Sequence, residues 1–230
     1  MSASIQTDMK IAIIMNDNSY VGREYVKALI EANICFDLIN IGHFPKKNEM
    51  EEKRCGGLWN PPSLDEYKES IKRFDFESLK GDSFYSFLCS KKYDLGVQAG
   101  TGILNREVID SFKYGILNFH PGDLPCYRGC SAPEWQILEG NDIVCTCHLI
   151  DEGIDTGKIY LKRKIYDSNV KDYHMMRAML YPRIARFVVD VLKSIDSNFL
   201  LECKEQDDSF ANYRKYVGDD VIDELIINMS

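Results

Sequence analysis

The chain has 230 residues, 45% of them hydrophobic, a length that closes one good core with at most a small appendage rather than two independent enzyme domains. Its 28 basic and 36 acidic side chains leave a net charge of −8, which argues against a surface that tracks nucleic acid, since phosphates would be repelled rather than drawn in. No run reaches the ~20 apolar residues of a membrane helix and the start, MSASIQTDMK, lacks the apolar stretch of a secretory signal, so a cytoplasmic protein without a membrane partner is expected.

Lys10 to Met15 read as a buried strand, and Asn16, Asp17, Asn18 and Ser19 supply turn and helix-capping side chains. Val21, Tyr25, Ala28, Leu29 and Ala32 then fall on one helical face, followed by a strand from Cys35 to Ile41. Strand, helix and strand in so short a span indicate a βαβ unit and a parallel sheet. From about 45 to 82, charge, Gly56-Gly57 and Pro61-Pro62 interrupt any long period; this reads as a surface excursion with one helix from Ser63 to Phe74. A short helix is expected over Phe84 to Cys89, a third strand from Asp94 to Ala99, and a turn at Gly100-Thr101-Gly102. Further strands are expected at Gly115 to Asn118, Ile143 to Ile150 and Lys158 to Ile165. After Val170, Tyr173, Met176, Leu180, Ile184, Phe187, Val188 and Val191 mark a long amphipathic helix that Pro182 should kink or divide. These elements give an α/β fold with a Rossmann-like, mostly parallel sheet flanked by helices. Residues 1–200 form the catalytic domain in this reading, and 201–230 a C-terminal tail or interface arm.

The eight cysteines are scattered and read as reduced thiols. Cys126, Cys130, Cys145, Cys147 and His148 lie near one another in sequence. However, C-x3-C followed by C-x-C-H is not a standard zinc spacing, and no metal is expected.

Reactive side chains concentrate between Gly115 and Gly157, at the end of a strand, where open α/β sheets carry their sites. Asn118 and His120 are two residues apart, so an extended backbone sends both to one face. An Asn amide can donate to a carbonyl oxygen that becomes negative, and a His can take up a proton, a pairing suited to acyl transfer to an amine. A carboxylate must come from the loop after the next strand. Spacing leaves Asp151, Glu152 and Asp155 equal.

The string Asn118-Phe119-His120-Pro121-Gly122-Asp123-Leu124-Pro125-Cys126-Tyr127-Arg128-Gly129, followed by Asp155-Thr156-Gly157, resembles the signature of the folate-dependent formyltransferases. The detailed likeness runs from Asp94 to Gly157. It implies 10-formyltetrahydrofolate as formyl donor and Asn118, His120 and Asp155 as the catalytic trio, with Asn and His stabilising the oxyanion and Asp assisting proton movement. Folate contacts are implied for Gln98, Gly100, Gly102, Ile103 and Leu104, mainly through backbone groups, and for Asp151 and Ile154 on the opposite side. Leu124 lies on the loop shaping the floor. His148 also matches a position common in the family, though its place in an alternating strand allows a structural role.

Departures from the family narrow the acceptor. Asn16-Asp17-Asn18-Ser19-Tyr20 replaces the glycine-rich phosphate cradle of glycinamide ribonucleotide enzymes, and the C-terminal domain of the tRNA enzymes has no counterpart here. The expected acceptor is a small amine, above all a nucleotide-linked amino sugar, met by Asn16, Asn18, Ser19, Tyr20 and Arg128. The loop at 16–20 reads equally well as a helix cap, and Trp135 as a core residue or a stacking platform. A 10-formyltetrahydrofolate hydrolase, a glycinamide ribonucleotide-type enzyme and a non-catalytic folate binder are the alternatives. A homodimer is compatible with all of them.

Overall fold

The computed structural model describes residues 9–42 and 49–229. The first eight residues and the start of the excursion at 45–48 lie outside them. In chain order the elements are β1 (Ile11–Met15), α1 (Tyr20–Glu31), β2 (Asp37–Ile41), α2 (Glu49–Cys55), β3 (Lys72–Phe76), α3 (Asp82–Lys91), β4 (Leu95–Ala99), α4 (Arg106–Asp110), β5 (Ile116–His120) and β6 (Arg128–Gly129). They continue with α5 (Ala132–Leu138), β7 (Ile143–Leu149), β8 (Ile159–Tyr166), α6 (Tyr173–Ser194), α7 (Phe199–Glu202), β9 (Tyr213–Arg214) and α8 (Asp219–Asn228). The strands of the main sheet follow the order β3-β2-β1-β4-β5-β7-β8, and β6 pairs with β9 in a separate two-stranded ladder. The chain divides into two compact units, one of residues 1–46, 61–118 and 185–202, the other of 47–60, 119–184 and 203–230.

In the first unit β1 pairs in parallel with β2 and β4, β2 with β3, and β4 with β5. Ile11, Ala12, Ile13, Ile14 and Met15 are all buried, as a strand covered on both faces requires. Ser19 caps α1 by accepting from the Gly22 N–H at 3.0 Å. Gly22 lets that helix press close, since a Cβ there would sit 2.9 Å from both the Ala99 carbonyl oxygen and the Met15 side chain.

The helix expected from Ser63 to Phe74 does not form. A single short helical turn at Leu64–Tyr67 gives way to strand β3, parallel to β2. The reason lies in a period of two that the charged residues obscure: Phe74 packs on Phe87 at 4.7 Å, and Phe76 on Phe84 and Phe87 at 5.0 and 4.9 Å. Contact among these four aromatic rings outweighs the weak helical signal of a polar stretch.

The second unit is built on the antiparallel pair β7 and β8. Cys145 and Cys147, fully buried on one face of β7, behave as small apolar groups whose thiols burial pushes up. Helix α6 runs unbroken through Pro182 over 22 residues, so the expected division is absent. One proline removes a single backbone hydrogen bond, while apolar faces on either side, from Tyr173 and Met176 to Phe187 and Val191, keep the helix buried. Residues 203–230 contribute β9 and α8, with Ile222 and Leu225 buried. No helix among the described residues is long and apolar enough to cross a membrane.

Candidate active site

Strand β5 presents Asn118 and His120 on one side of its pleat, with Phe119 buried on the other. His120 is 5% exposed. Its Nε2 lies 2.6 Å from the Tyr127 carbonyl oxygen, which can only accept, so Nε2 carries the hydrogen. Nδ1 faces Asp155 Oδ2 at 3.5 Å. Gly122 leaves the space that this ring occupies, since a Cβ there would lie 2.6 Å from His120 Nε2 and 2.7 Å from the Tyr127 oxygen. Thr146 fixes the same loop, donating to the Gly122 carbonyl at 2.7 Å and accepting from the Leu124 N–H at 3.2 Å.

Asp155 stands at φ +56°, a left-handed conformation unusual outside glycine. Its Oδ2 accepts the Gly129 N–H at 2.8 Å, and its Oδ1 lies 3.7 Å from His148 Nε2, too long for a direct hydrogen bond. His148 Nδ1 bonds the Leu149 carbonyl at 2.8 Å, which turns Nε2 toward the carboxylate. Burial pushes Asp155 up, but His148, His120 and the Gly129 N–H outweigh it and hold the carboxyl below its ordinary value. For His120, burial is the strongest influence and lowers its pKa, with Asp155 and the Tyr127 carbonyl offsetting part of the effect.

The three carboxylates that spacing left equal are now distinguished. Asp151 folds into its own turn, accepting from the Gly153 N–H at 3.1 Å and the Thr156 hydroxyl at 2.6 Å. Glu152 is exposed. Only Asp155 of the three faces His120. Ile154 is 46% exposed and Leu124 fully buried.

The other expected binding residues have mixed placements. Gln98 turns its amide onto Thr101 Oγ1 at 3.1 Å and onto the Gly102 carbonyl. Gly100 and Gly102 both have positive φ, Ile103 is 79% exposed, and Leu104 is a core residue at 3%. A Cβ at Gly100 would collide with the Ser19 hydroxyl, so the turns after β1 and β4 adjoin. Asn16 donates to the Ile41 carbonyl at 3.1 Å and accepts the Asn18 N–H at 2.9 Å, and Ser19 caps α1. Tyr20 is half-buried as the first residue of that helix. The Arg128 guanidinium bonds Gln206 and Asp208. Trp135 donates its indole N–H to the Lys215 carbonyl at 2.8 Å.

Sequence reasoning missed two partners of the trio. The Tyr127 contact and the Gly129 N–H are backbone groups, which leave no trace in side-chain identity. His148 was noted, but its aim at Asp155 is set by the Leu149 carbonyl.

A mostly parallel α/β sheet with a buried His facing a half-buried carboxylate at the end of β5 is an arrangement suited to acid–base group transfer. The chain belongs to the formyl transferase family, whose model matches residues 9–171. It is 36% identical over 91 residues to a methionyl-tRNA formyltransferase of Thermodesulfovibrio yellowstonii, covering 39% of this chain and 30% of that one. It is 29% identical over 200 residues to the cytosolic 10-formyltetrahydrofolate dehydrogenase of Xenopus tropicalis, covering 81% of this chain. The chain thus spans only 30% and 20% of the length of these two relatives. Among solved structures, a sugar N-formyltransferase from Shewanella sp FDAARGOS_354 superposes with a TM-score of 0.59 at 19% identity, covering 91% of this chain and 78% of that one. At that identity the likeness is one of fold.

Proposed function

We propose that this chain transfers a formyl group from 10-formyltetrahydrofolate to the primary amine of a small acceptor, a nucleotide-linked amino sugar being the favoured class. The observation that carries the reading is buried His120 facing half-buried Asp155 at 3.5 Å, held from behind by Tyr127 and Gly129, in a chain of the formyl transferase family. The folate supplies an activated formyl group. The Asn118 amide serves to hold the formyl oxygen as it gains negative charge. The amine attacks the formyl carbon, and His120 Nδ1 takes up the proton the amine loses while Asp155 stabilises the imidazolium. That proton passes to folate N10 as its bond to the formyl carbon breaks, leaving a formamide and tetrahydrofolate. Gln98 to Leu104 and Ile150 to Asp155 are assigned to folate, and the turn at Asn16 to Tyr20 to the acceptor. A cytoplasmic location is part of this reading.

The amino-sugar choice is supported by the fold likeness to a sugar N-formyltransferase and by the turn after β1, Asn16 to Tyr20, which has no glycine where a ribonucleotide-phosphate cradle would need it. The test supplies 10-formyltetrahydrofolate with a panel of dTDP- and UDP-linked amino sugars, glycinamide ribonucleotide and methionyl-tRNA. Formamide formation on an amino sugar is expected; formamide on the ribonucleotide or tRNA alone would move the acceptor class.

A further inference from the structure

Residues 203–214 carry no motif of the proposed chemistry, yet they hold both flanks of Asp155. Gln206 Nε2 donates to the carbonyls of Asp155 and Gly157, each at 2.8 Å, and its Oε1 accepts from Arg128 Nε and Nη2 at 3.1 and 2.8 Å. Every hydrogen-bonding capacity of this amide is used. Arg128 is steadied in turn by Asp208 at 2.7 Å, and Lys204 exchanges two 2.8 Å backbone hydrogen bonds with Ile159. On the other flank, β9 pairs with β6, and the Cys130 N–H donates to the Arg214 carbonyl at 3.0 Å. That ladder fixes Gly129, whose N–H holds the Asp155 carboxylate. Gly129 itself, at φ +93°, leaves no room for a Cβ, which would meet the Arg214 carbonyl oxygen at 2.5 Å.

A non-glycine residue in the left-handed region costs roughly 1 kcal/mol or more and persists only where its surroundings impose it. At Asp155 the imposing bonds are those from Gln206 to its own carbonyl and to that of Gly157.

We propose that Gln206 is a positioning residue: by capturing the Asp155 and Gly157 carbonyls and tying them to Arg128, it aims the Asp155 carboxylate at His120 Nδ1. The inference rests on the proposed role of Asp155. The C-terminal segment is therefore part of the site.

Two variants test it. Gln206→Met keeps the length of the side chain and loses every hydrogen bond, whereas Gln206→Glu keeps the Arg128 pairing and loses both donors. Each is read by the NMR titration of His120 and by tetrahydrofolate release from 10-formyltetrahydrofolate with the amino-sugar panel. In both variants His120 should titrate at lower pH than in the parent, because the carboxylate that favours imidazolium has moved, and the rate should fall about tenfold or more. In an Asp155→Asn background, Gln206→Met should add neither a further shift nor a further loss, the non-additivity of residues that act as one unit. A merely structural role would lower the melting temperature and leave the His120 titration of the folded protein unchanged. Parent-like titration in Gln206→Met, a full additional effect in the Asp155→Asn background, or parent-like behaviour of Gln206→Glu would overturn the proposal. Failure of the underlying reading is separable, since it shows as parent-like turnover in Asp155→Asn alone.

Discussion

Asp155→Asn removes one negative charge 3.5 Å from His120 Nδ1 without changing side-chain volume. At an effective dielectric of about 20, a charge pair at that separation interacts by roughly 5 kcal/mol. Burial of the pair offsets part of this, so the interaction sets an upper limit of about 10³ to 10⁴ on the rate loss. The amide can still accept the Gly129 N–H, and donor binding should change little. The neighbours are the controls. Asp151→Asn keeps an oxygen for Gly153 and Thr156, and Glu152→Gln alters an exposed side chain, so each should cost less than about threefold. Turnover and the donor dissociation constant are measured for all three. A dead Glu152→Gln or Asp151→Asn beside an active Asp155→Asn would refute the assignment.

His120→Ala should lower turnover by about 10² to 10⁴, checked in steady-state assays on protein with a parent-like circular dichroism spectrum. The folded-state pKa values of His120 and Asp155 are both depressed, so their contributions to stability are present above 6.5 and 3.8 respectively and are lost as pH falls through the folded values. The melting temperature should therefore drop on acidification below pH 6.5, and His120→Gln should flatten that drop. Gly122→Ala should cost about 1 to 3 kcal/mol in urea denaturation and displace His120, because the added methyl has no free space. Glu134, which is 0% exposed, faces Arg54 at 3.7 Å and Arg177 at 3.6 Å, while both arginines also bond Glu51. Glu134→Gln unbalances that buried quartet and should cost about 3 kcal/mol in the same measurement.

The parallel strands were legible because β1, β2 and β4 are short apolar runs between turn residues, a pattern that follows directly from burial on both faces. Strand β3 was not, because Lys72, Arg73 and Asp75 alternate with the phenylalanines and an exposed edge looks like any polar stretch. The site was half legible. Asn118 and His120 follow from strand alternation, but the choice of Asp155 over Asp151 needed the family resemblance, and the geometry supports it through the turn that Asp151 forms with Thr156. Gln206 lies 51 residues beyond Asp155, and nothing in the spacing connects them. Its role depends on backbone carbonyls and on a ladder between two-residue strands, neither of which has a compositional signature.

The most direct test of formyl transfer uses 10-formyltetrahydrofolate labelled with ¹³C in the formyl group, incubated with the amino-sugar panel and either the parent protein or His120→Ala. The account predicts label in a formamide on the acceptor with the parent, amine-dependent release of tetrahydrofolate, and loss of both in His120→Ala. Label recovered only as formate regardless of amine, or equal formamide from both proteins, would contradict it.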